Sequence, residues 1–265
     1  MTSSAMHTGL TAALWQGDSV PGDIAANLAR IEAAAEGAAE AGADLLVMPE
    51  CFLTGYYSHA DLSEIAVRVD EGCISALAAL AQRLSLVLVV GSYELTEAGL
   101  YNAAIVFDPE LGVIGPYRKR MLYGEWEKRS FRRGSQPLIF SCKGVKVGVL
   151  ICFDVEFPER VRELATGGVE LLVVPTALME PYDKVTSLLV PARAYENGIF
   201  VAYANRVGSE EELTYLGGSC IVGPDGNHLA RLGARDVGLA SARIDTARIG
   251  VARAEVHYLG EMDKA

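Results

Sequence analysis

A cysteine stands between an apolar run and a predicted helix. Residues 145–151 are predominantly apolar and β-branched, which predicts a strand in the core, and Pro158 marks the first turn of a helix. Cys152 therefore lies at a strand-to-helix turn, a geometry that exposes a side chain and directs backbone N–H groups at it. Such a thiol could act as a nucleophile, although an isolated cysteine is more often a small buried hydrophobe.

A thiol without a histidine partner needs another base, and Glu50 is the first candidate. It follows Pro49 at the end of residues 45–48, a short apolar run that predicts a buried strand. Its carboxylate would start in a partly desolvated place, where burial raises the pKa and improves proton acceptance near neutral pH. A solvated loop is the usual alternative for a glutamate, and this residue alone does not decide between the two.

A cation and a further carboxylate follow in one segment. Lys119 lies where a predicted hairpin strand ends, within the basic run 118–120. An ammonium there could lower the pKa of a thiol and stabilise a developing oxyanion, whereas a basic run is usually a solvated face. Glu125 and Glu127 come next, and their spacing does not decide which of them points to the same site.

These residues stand next to elements that alternate along the chain. Strands are predicted at residues 11–15, 45–48 and 86–92, and helices at residues 24–42 and 74–84 lie between them. The alternation predicts an α/β sheet with helices on its faces. Later elements make the sheet mixed: hairpin strands at 101–108 and 113–117, a helix at 159–165, a strand at 171–174, a helix at 183–196, a strand at 200–204, and a hairpin at 219–222 and 227–231.

The composition is that of a globular protein whose partners are small molecules. With 265 residues, 51% of them apolar, and no linker-like segment, the chain predicts a single domain over residues 1–265. The formal net charge of −11 argues against nucleic acid and against an anionic membrane surface as partners, and it suits a small neutral substrate. The 4 histidines and 5 cysteines lack metal-ligand spacing, so we expect no metal site.

The compartment is predicted from features that the sequence lacks. Residues 1–8 contain no basic segment followed by an apolar one, as a secretory signal would. No apolar run approaches the ~20 residues of a membrane span. An odd number of cysteines without C-x-x-C spacing is typical of a reducing compartment. We therefore expect a soluble, cytoplasmic protein.

Three blocks of sequence carry a family resemblance. LVMPE (46–50), YRKRMLYGEWEKRSFRRG (117–134) and LICFDVEFPERVREL (150–164) resemble, in order and spacing, the nitrilase superfamily of carbon–nitrogen hydrolases. The segments 173–177 and 191–197 extend the similarity over nearly the whole chain, as does the turn at 220–226. The resemblance implies an α/β fold that is a four-layer αββα sandwich with mixed sheets, and it implies a homodimer or a higher homo-oligomer.

The resemblance also implies a Glu-Lys-Cys triad. On the matching positions its members are Glu50, Lys119 and Cys152, and a second glutamate falls on Glu127 rather than on the glutamate two residues earlier. The family often carries histidine two residues after the lysine, where this chain has Met121. That departure affects the polarity of the pocket more than the chemistry.

The implied reaction is amide hydrolysis through a thioester, without a cofactor. Glu50 would take the proton from Cys152, and the thiolate would attack the amide carbonyl. Lys119 and the backbone N–H of Phe153 would hold the tetrahedral oxyanion. Glu50 would then return the proton to departing ammonia and activate water against the thioester. Glu127 would orient the substrate and tune Lys119, and a part for it in proton transfer stays open at this point.

The substrate prediction depends on the wider motif set. GEWEKRSF (124–131), VPARAYENG (190–198) and VAYANR (201–206) are similar to aliphatic or stereoselective amidases, so we expect a small aliphatic amide that yields acid and ammonia. Four side chains near the chemical segments could wall its pocket: Tyr56, Tyr57, Trp126 and Met179. Aromatic and methionine side chains near strand ends are, however, more often core packing.

Two alternatives stay open at this point. A nitrilase or an N-carbamoyl amino acid amidohydrolase would use the same triad, and Arg193 or Arg206 could then bind a substrate carboxylate, although structural pairing is more usual for such arginines. A catalytically silent binding module that keeps the sandwich for oligomer contacts is the non-enzyme alternative. The presence of all three triad residue types weighs against it.

Overall fold

Two six-stranded sheets carry the fold. The computed structural model describes residues 9–56, 61–69 and 72–262. Within them the strands are β1 (Gly9–Gln16), β2 (Leu45–Val47), β3 (Val87–Thr96), β4 (Gly99–Asp108), β5 (Gly112–Arg118), β6 (Leu138–Cys142), β7 (Val145–Val149), β8 (Leu171–Pro175), β9 (Phe200–Ala204), β10 (Ser209–Glu210), β11 (Leu213–Thr214), β12 (Cys220–Val222), β13 (His228–Arg231) and β14 (Gly238–Asp245). The α-helices are α1 (Ile24–Glu40), α2 (Leu62–Ile65), α3 (Gly72–Leu84), α4 (Gly124–Ser130), α5 (Pro158–Thr166), α6 (Val190–Asn197), α7 (Ala247–Glu255) and α8 (Tyr258–Met262).

Both sheets are parallel at the centre and antiparallel at the edges. The first has the order β14-β1-β2-β3-β4-β5, with β1, β2 and β3 parallel. The second has the order β13-β12-β9-β8-β7-β6, with β7, β8 and β9 parallel. The C-terminal strand β14 closes the edge of the first sheet, where Asp245 lies opposite Gly9. The prediction of mixed sheets is confirmed.

The core shows why two sheets stack. Successive strand residues point to opposite faces, and on β3 Val87 and Val89 belong to the cluster shared with the second sheet. Leu88 and Val90 belong instead to the cluster formed with α1 and α3. On the far side, residues of α5 and α6 pack on the second sheet. The result is the four-layer αββα sandwich that the resemblance implied.

Most predicted elements are present, with differences at the least regular segments. The strand predicted at 200–204 coincides with β9, but β6 and β14 were not predicted, because β6 is short and β14 alternates small and polar residues at a sheet edge. The helix predicted at 183–196 is divided into a π-helical turn, Val185–Leu189, and α6. In the part of the chain that the structure describes, no helix has the length and apolarity needed to cross a membrane.

Candidate active site

Glu50 lies in the turn that follows β2. This turn packs against Gly91 of the neighbouring strand β3. A Cβ atom on Gly91 would lie 2.4 Å from the backbone N of Cys51 and 2.4 Å from the carbonyl O of Pro49, so the close approach requires glycine. The side chain of Glu50 is completely buried, which exceeds the partial desolvation that the sequence predicted.

Lys119 lies between two carboxylates. Its Nζ is 2.7 Å from Oε1 of Glu50 and 2.7 Å from Oε1 of Glu127, and none of the three side chains is exposed. Nδ2 of Asn102, on β4, donates to the same two oxygens at 2.7 and 3.3 Å. The backbone N–H of Ala177, just after β8, donates to Oε2 of Glu50 at 2.9 Å. Groups from both sheets therefore meet at one buried charge cluster.

The helix α4 separates the two glutamates that spacing could not rank. Glu127 is buried, and its Oε2 accepts from the backbone N–H of Tyr123 at 2.6 Å while its Oε1 accepts from the hydroxyl of Tyr56 at 2.9 Å. Glu125 points to solvent and pairs with Lys128 at 3.0 Å. Residues two apart on a helix do not share a face, so only Glu127 reaches Lys119.

Cys152 lies at the predicted turn, where it begins a short 3₁₀-helix. Its φ of 45° is a left-handed conformation that is unusual outside glycine and is often found at functional sites. The buried carboxylate of Asp154 supports the turn, because it accepts from the backbone N–H of Ile151 at 3.0 Å, from that of Met121 at 2.7 Å, and from the hydroxyl of Tyr117 at 2.9 Å. This network ties the cysteine turn to the segment that follows Lys119.

Burial and charge set the protonation of Glu50 and Lys119. Burial raises the pKa of Glu50, and the charge of Lys119 reduces this effect without cancelling it. Burial by itself lowers the pKa of Lys119, but the carboxylates of Glu127 and Glu50 outweigh it and hold that pKa well above its ordinary value. Lys119 is therefore a fixed cation, and Glu50 accepts a proton more readily than an exposed glutamate.

The thiol of Cys152 is protonated at rest. Burial raises its pKa well above the ordinary value, and the charge of Glu50 raises it further. Lys119 and a backbone hydrogen bond from Ala177 lower the pKa, but they do not outweigh burial. The sequence-based expectation that a lysine activates the thiol is therefore incomplete, because the thiol proton still needs an acceptor when the sulfur reacts.

A pocket of about 220 Å³ opens onto the cysteine. Its lining residues are Tyr56, Tyr123, Cys152, Phe153, Glu156, Ala177, Leu178, Met179 and Tyr182. The volume is below the ~300–1,000 Å³ that is usual for drug-sized ligands. The pocket therefore fits a small molecule.

Of the four predicted wall residues, Tyr56 and Met179 line the pocket. Trp126 is not among the lining residues, and its indole packs 5.6 Å from the ring of Tyr56 and 5.6 Å from that of Phe131 between ring centroids. Packing against these rings buries part of its apolar surface. Tyr57 lies outside the described residues.

Neither of the two arginines that could bind a substrate carboxylate lines this pocket. Arg193 donates to the carbonyl oxygens of Val155 and Glu156 at 3.0 and 2.8 Å, and Arg206 forms a buried pair with Glu210. A groove of about 400 Å³ beside Tyr215 contains none of the four candidate groups. Among the described residues, no cluster of three or more His, Cys, Asp or Glu side chains is placed to hold a metal ion.

Three site residues were missed by the sequence analysis. Asn102 is the one polar residue at the start of an apolar strand, and that isolation was the available signal. Asp154 and Glu156 lie within the block that contains the cysteine, but two carboxylates in a motif do not reveal which is buried as a support and which lines a pocket.

Known proteins share both the sequence and the fold. The sequence model described as "Carbon-nitrogen hydrolase" matches residues 11–254. A "Hydrolase in pqqF 5'region" of Pseudomonas protegens is 40% identical over 253 residues, which cover 94% of this chain and 87% of that protein. An (R)-stereoselective amidase of Pseudomonas sp. is 35% identical over 240 residues, covering 90% of this chain and 86% of that protein.

Solved structures of amidases are similar to this chain in fold, and one of them carries a covalent adduct on its active-site cysteine. The structure of an amidase from Nesterenkonia sp. matches with a TM-score of 0.83 at 36% identity, covering 96% of this chain and 98% of that chain. A variant of the amidase from Nesterenkonia sp. AN1 is in complex with butyramide, at a TM-score of 0.83, 35% identity and coverage of 97% and 98%. Another variant carries the acetamide moiety of fluoroacetamide covalently at the active-site cysteine, at a TM-score of 0.83, 36% identity and coverage of 94% and 96%. Given this match over most of its length, the chain belongs to the carbon–nitrogen hydrolase family, within the nitrilase superfamily.

Proposed function

We propose that this carbon–nitrogen hydrolase is an amidase that converts small aliphatic amides to carboxylic acids and ammonia through a thioester on Cys152. The observation that carries the proposal is the placement of Cys152 on a 220 Å³ pocket, under the electrostatic influence of the buried Glu50 and Lys119. The small volume suits a short acyl chain. The butyramide complex of the amidase from Nesterenkonia sp. AN1 supports the same substrate size.

The first step forms the carbon–sulfur bond. Glu50 accepts the thiol proton while the sulfur of Cys152 attacks the amide carbonyl carbon, and the carbonyl π electrons move to oxygen. Lys119 and the backbone N–H of Phe153, at the start of the 3₁₀-helix, stabilise the resulting oxyanion. A protonated resting thiol makes this transfer necessary, and the raised pKa of Glu50 makes its carboxylate a better proton acceptor than an ordinary glutamate.

The remaining steps use the same carboxyl group twice. The carbon–nitrogen bond breaks, the proton on Glu50 moves to the nitrogen, and ammonia leaves behind a thioester. Glu50 then takes a proton from water, whose oxygen attacks the thioester carbon. The carbon–sulfur bond breaks, the sulfur of Cys152 recovers a proton, and the carboxylic acid is released.

Glu127 positions the other groups. Its Oε1 accepts from both Lys119 and the hydroxyl of Tyr56, so it fixes the ammonium on the side of Glu50 and connects it to the pocket wall. An oxygen that already accepts from these donors is well suited to orientation. We therefore assign proton transfer to Glu50 and positioning to Glu127.

Steady-state ammonia release from a panel of amides, nitriles and N-carbamoyl amino acids tests the proposal. We expect turnover of short amides, no turnover with Cys152→Ala, and a decrease of about 10²–10³ in kcat with Lys119→Ala, because an oxyanion donor is lost. Cys73→Ala, in α3 and away from the pocket, is the matched control. Turnover of nitriles without amides, or undiminished ammonia release by Cys152→Ala, would contradict the proposal.

A further inference from the structure

We propose that Glu156 selects amides whose acyl chain carries a protonated amine. This inference rests on the proposed amidase function and specifies its substrate class. Glu156 lies four residues after Cys152 and lines the same pocket, where its side chain is half-buried.

The carboxylate of Glu156 has no partner of its own in the described part of the chain. Its backbone oxygen accepts from Arg193 at 2.8 Å, but within the described residues no donor reaches its side-chain oxygens and no cation lies within 4.0 Å of them. The guanidinium of Arg193 is already committed to two carbonyl oxygens and to Glu196 at 3.0 Å. A partly desolvated carboxylate without a donor is energetically unfavourable, and a ligand cation would relieve this cost.

The surrounding wall is suited to a cation rather than to a neutral or anionic group. Among the residues that line the pocket, Glu156 is the one with a formal charge, because the thiol of Cys152 is neutral at rest. The ring of Tyr123 lies 5.3 Å from that of Phe153 and 6.2 Å from that of Tyr182 between centroids, and all three rings line the pocket. Aromatic faces attract ammonium groups, so the rings and the carboxylate act in the same direction.

Because the catalytic groups lie deep behind the pocket, the ammonium of the substrate belongs on its acyl chain rather than beside its amide nitrogen. Glu50 must deliver its proton to the amide nitrogen, and Glu50, Lys119 and Glu127 are completely buried behind the pocket. The nitrogen therefore faces inward, and the acyl chain extends along the half-buried wall that contains Glu156. The net charge of −11 further favours the approach of a cationic substrate over an anionic one.

Burial also makes the charged form of Glu156 costly in the unliganded pocket. Desolvation raises the pKa of its carboxyl group, while the more distant charges of Lys119 and Arg193 lower it only in part. An N-carbamoyl amino acid would bring its own carboxylate to this wall and would be repelled. This repulsion disfavours the N-carbamoyl amino acid amidohydrolase that the sequence left open as an alternative.

The test compares amides of equal size that differ in charge. The kcat/KM values for glycinamide and propionamide, and for β-alaninamide and butyramide, are measured at about pH 6.5, where the amino groups are largely protonated. In the wild type we expect at least one cationic amide to exceed its neutral counterpart by about tenfold or more, the size expected of a charge-assisted contact. The ratio is taken within each protein, so a general loss of activity does not affect it.

Three variants assign the preference to Glu156. Glu156→Gln should bring the ratio close to one, chiefly by raising KM for the cationic amide, whereas Glu156→Asp, which retains the charge, should keep a ratio above one. Glu159→Gln removes an equal charge from the exposed first turn of α5 and should leave activity and ratio unchanged.

The outcomes separate this inference from the function on which it rests. A wild-type ratio of one or less for both pairs, with clear ammonia release from the neutral amides, would overturn the role of Glu156 and leave the amidase proposal intact. A ratio of cationic to neutral amide that is unchanged in Glu156→Gln would likewise overturn the role of Glu156 and leave the amidase proposal intact. Ammonia release from none of the four amides would overturn both proposals. A wild-type ratio of one or less for both pairs overturns the role of Glu156 even if a variant fails to fold.

Discussion

At the scale of single residues, the buried site holds more negative than positive charge. Two carboxylates, from Glu50 and Glu127, share the ammonium of Lys119 without solvent. Burial disfavours a further negative charge on the sulfur of Cys152, and the charge of Glu50 adds to this effect, so the thiol is neutral at rest. The nucleophile is therefore formed only as Glu50 takes its proton.

This balance predicts the pH dependence. Glu50 accepts a proton only when ionised, and burial raises its pKa above the ordinary value of 4.5. Since a protonated base is inactive, kcat/KM for a neutral amide should decrease as the pH falls, with a midpoint above 4.5, and the loss should be reversible. Initial rates between about pH 4 and 9 measure this. A rate that is constant down to pH 4 would contradict the assignment of Glu50 as the base.

Tyr56 offers a second test at this scale. Tyr56→Phe removes the hydroxyl that donates to Oε1 of Glu127 but keeps the ring, so a net loss of about 3- to 10-fold in kcat is expected for one missing hydrogen bond. The other donors to Glu127, Lys119 and Tyr123, limit the effect. Tyr258→Phe removes a hydroxyl from a residue that does not line the pocket and should leave kcat unchanged. An unchanged kcat in Tyr56→Phe would show that this contact does not position Glu127.

At the scale of secondary structure, the reactive side chains of the site lie at strand ends and in short turns. The apolar runs before Glu50 and Cys152 made their strands predictable, as did the hairpin before Lys119. The depth of burial was not predictable, because it depends on contacts such as that of Gly91 with the turn after β2. The support from Asp154 was equally hidden, since it joins segments 33 residues apart.

The contact at Gly91 yields a prediction for this scale. Gly91→Ala would place a methyl group 2.4 Å from two backbone atoms of the turn that holds Glu50, so the turn must move. We expect a loss of at least about 10²-fold in kcat, since a displacement near 1 Å at the chemistry can cost that much. Gly250→Ala is the matched control, because the added methyl meets no atom within 4 Å and lies in helix α7. Equal activities of the two variants would contradict the role of the close approach.

At the scale of the whole molecule, the sequence predicts the elements better than their partition into sheets. Alternating strands and helices indicated an α/β protein, but periodicity does not show that a run belongs to one sheet or the other. The pairing of β1 with β14 joins the first and the last strand of the described chain. No local sequence pattern predicts a contact between residues so far apart. The family resemblance supplied the four-layer arrangement that the residues alone did not.

The outer surface offers a place for the contact of the expected homodimer. Four exposed apolar side chains lie on the C-terminal helical side of the second sheet: Leu188, Tyr195, Val251 and Tyr258. The rings of Tyr195 and Tyr258 lie 5.9 Å apart between centroids and are about half exposed. Exposed apolar groups of this kind mark interaction sites, and we propose that a second copy of the chain covers them.

Sedimentation velocity tests this pairing. Tyr195→Asp should shift a dimer toward monomer without loss of folded structure, because it places a charge in the apolar contact. Leu111→Asp makes the same change at an exposed position, in the turn between β4 and β5, and should leave the association state unchanged. Identical sedimentation of both variants with the wild type would place the dimer contact elsewhere.

The central claim is that Cys152 carries the acyl group during turnover, and mass spectrometry of the acid-quenched enzyme tests it most directly. With butyramide or with an accepted cationic amide, we expect a mass increase equal to the acyl group, located on the peptide that contains Cys152. Hydroxylamine should remove this adduct, and Cys152→Ala should lack it. Steady ammonia release with an acyl adduct on another residue, or with full activity in Cys152→Ala, would contradict it.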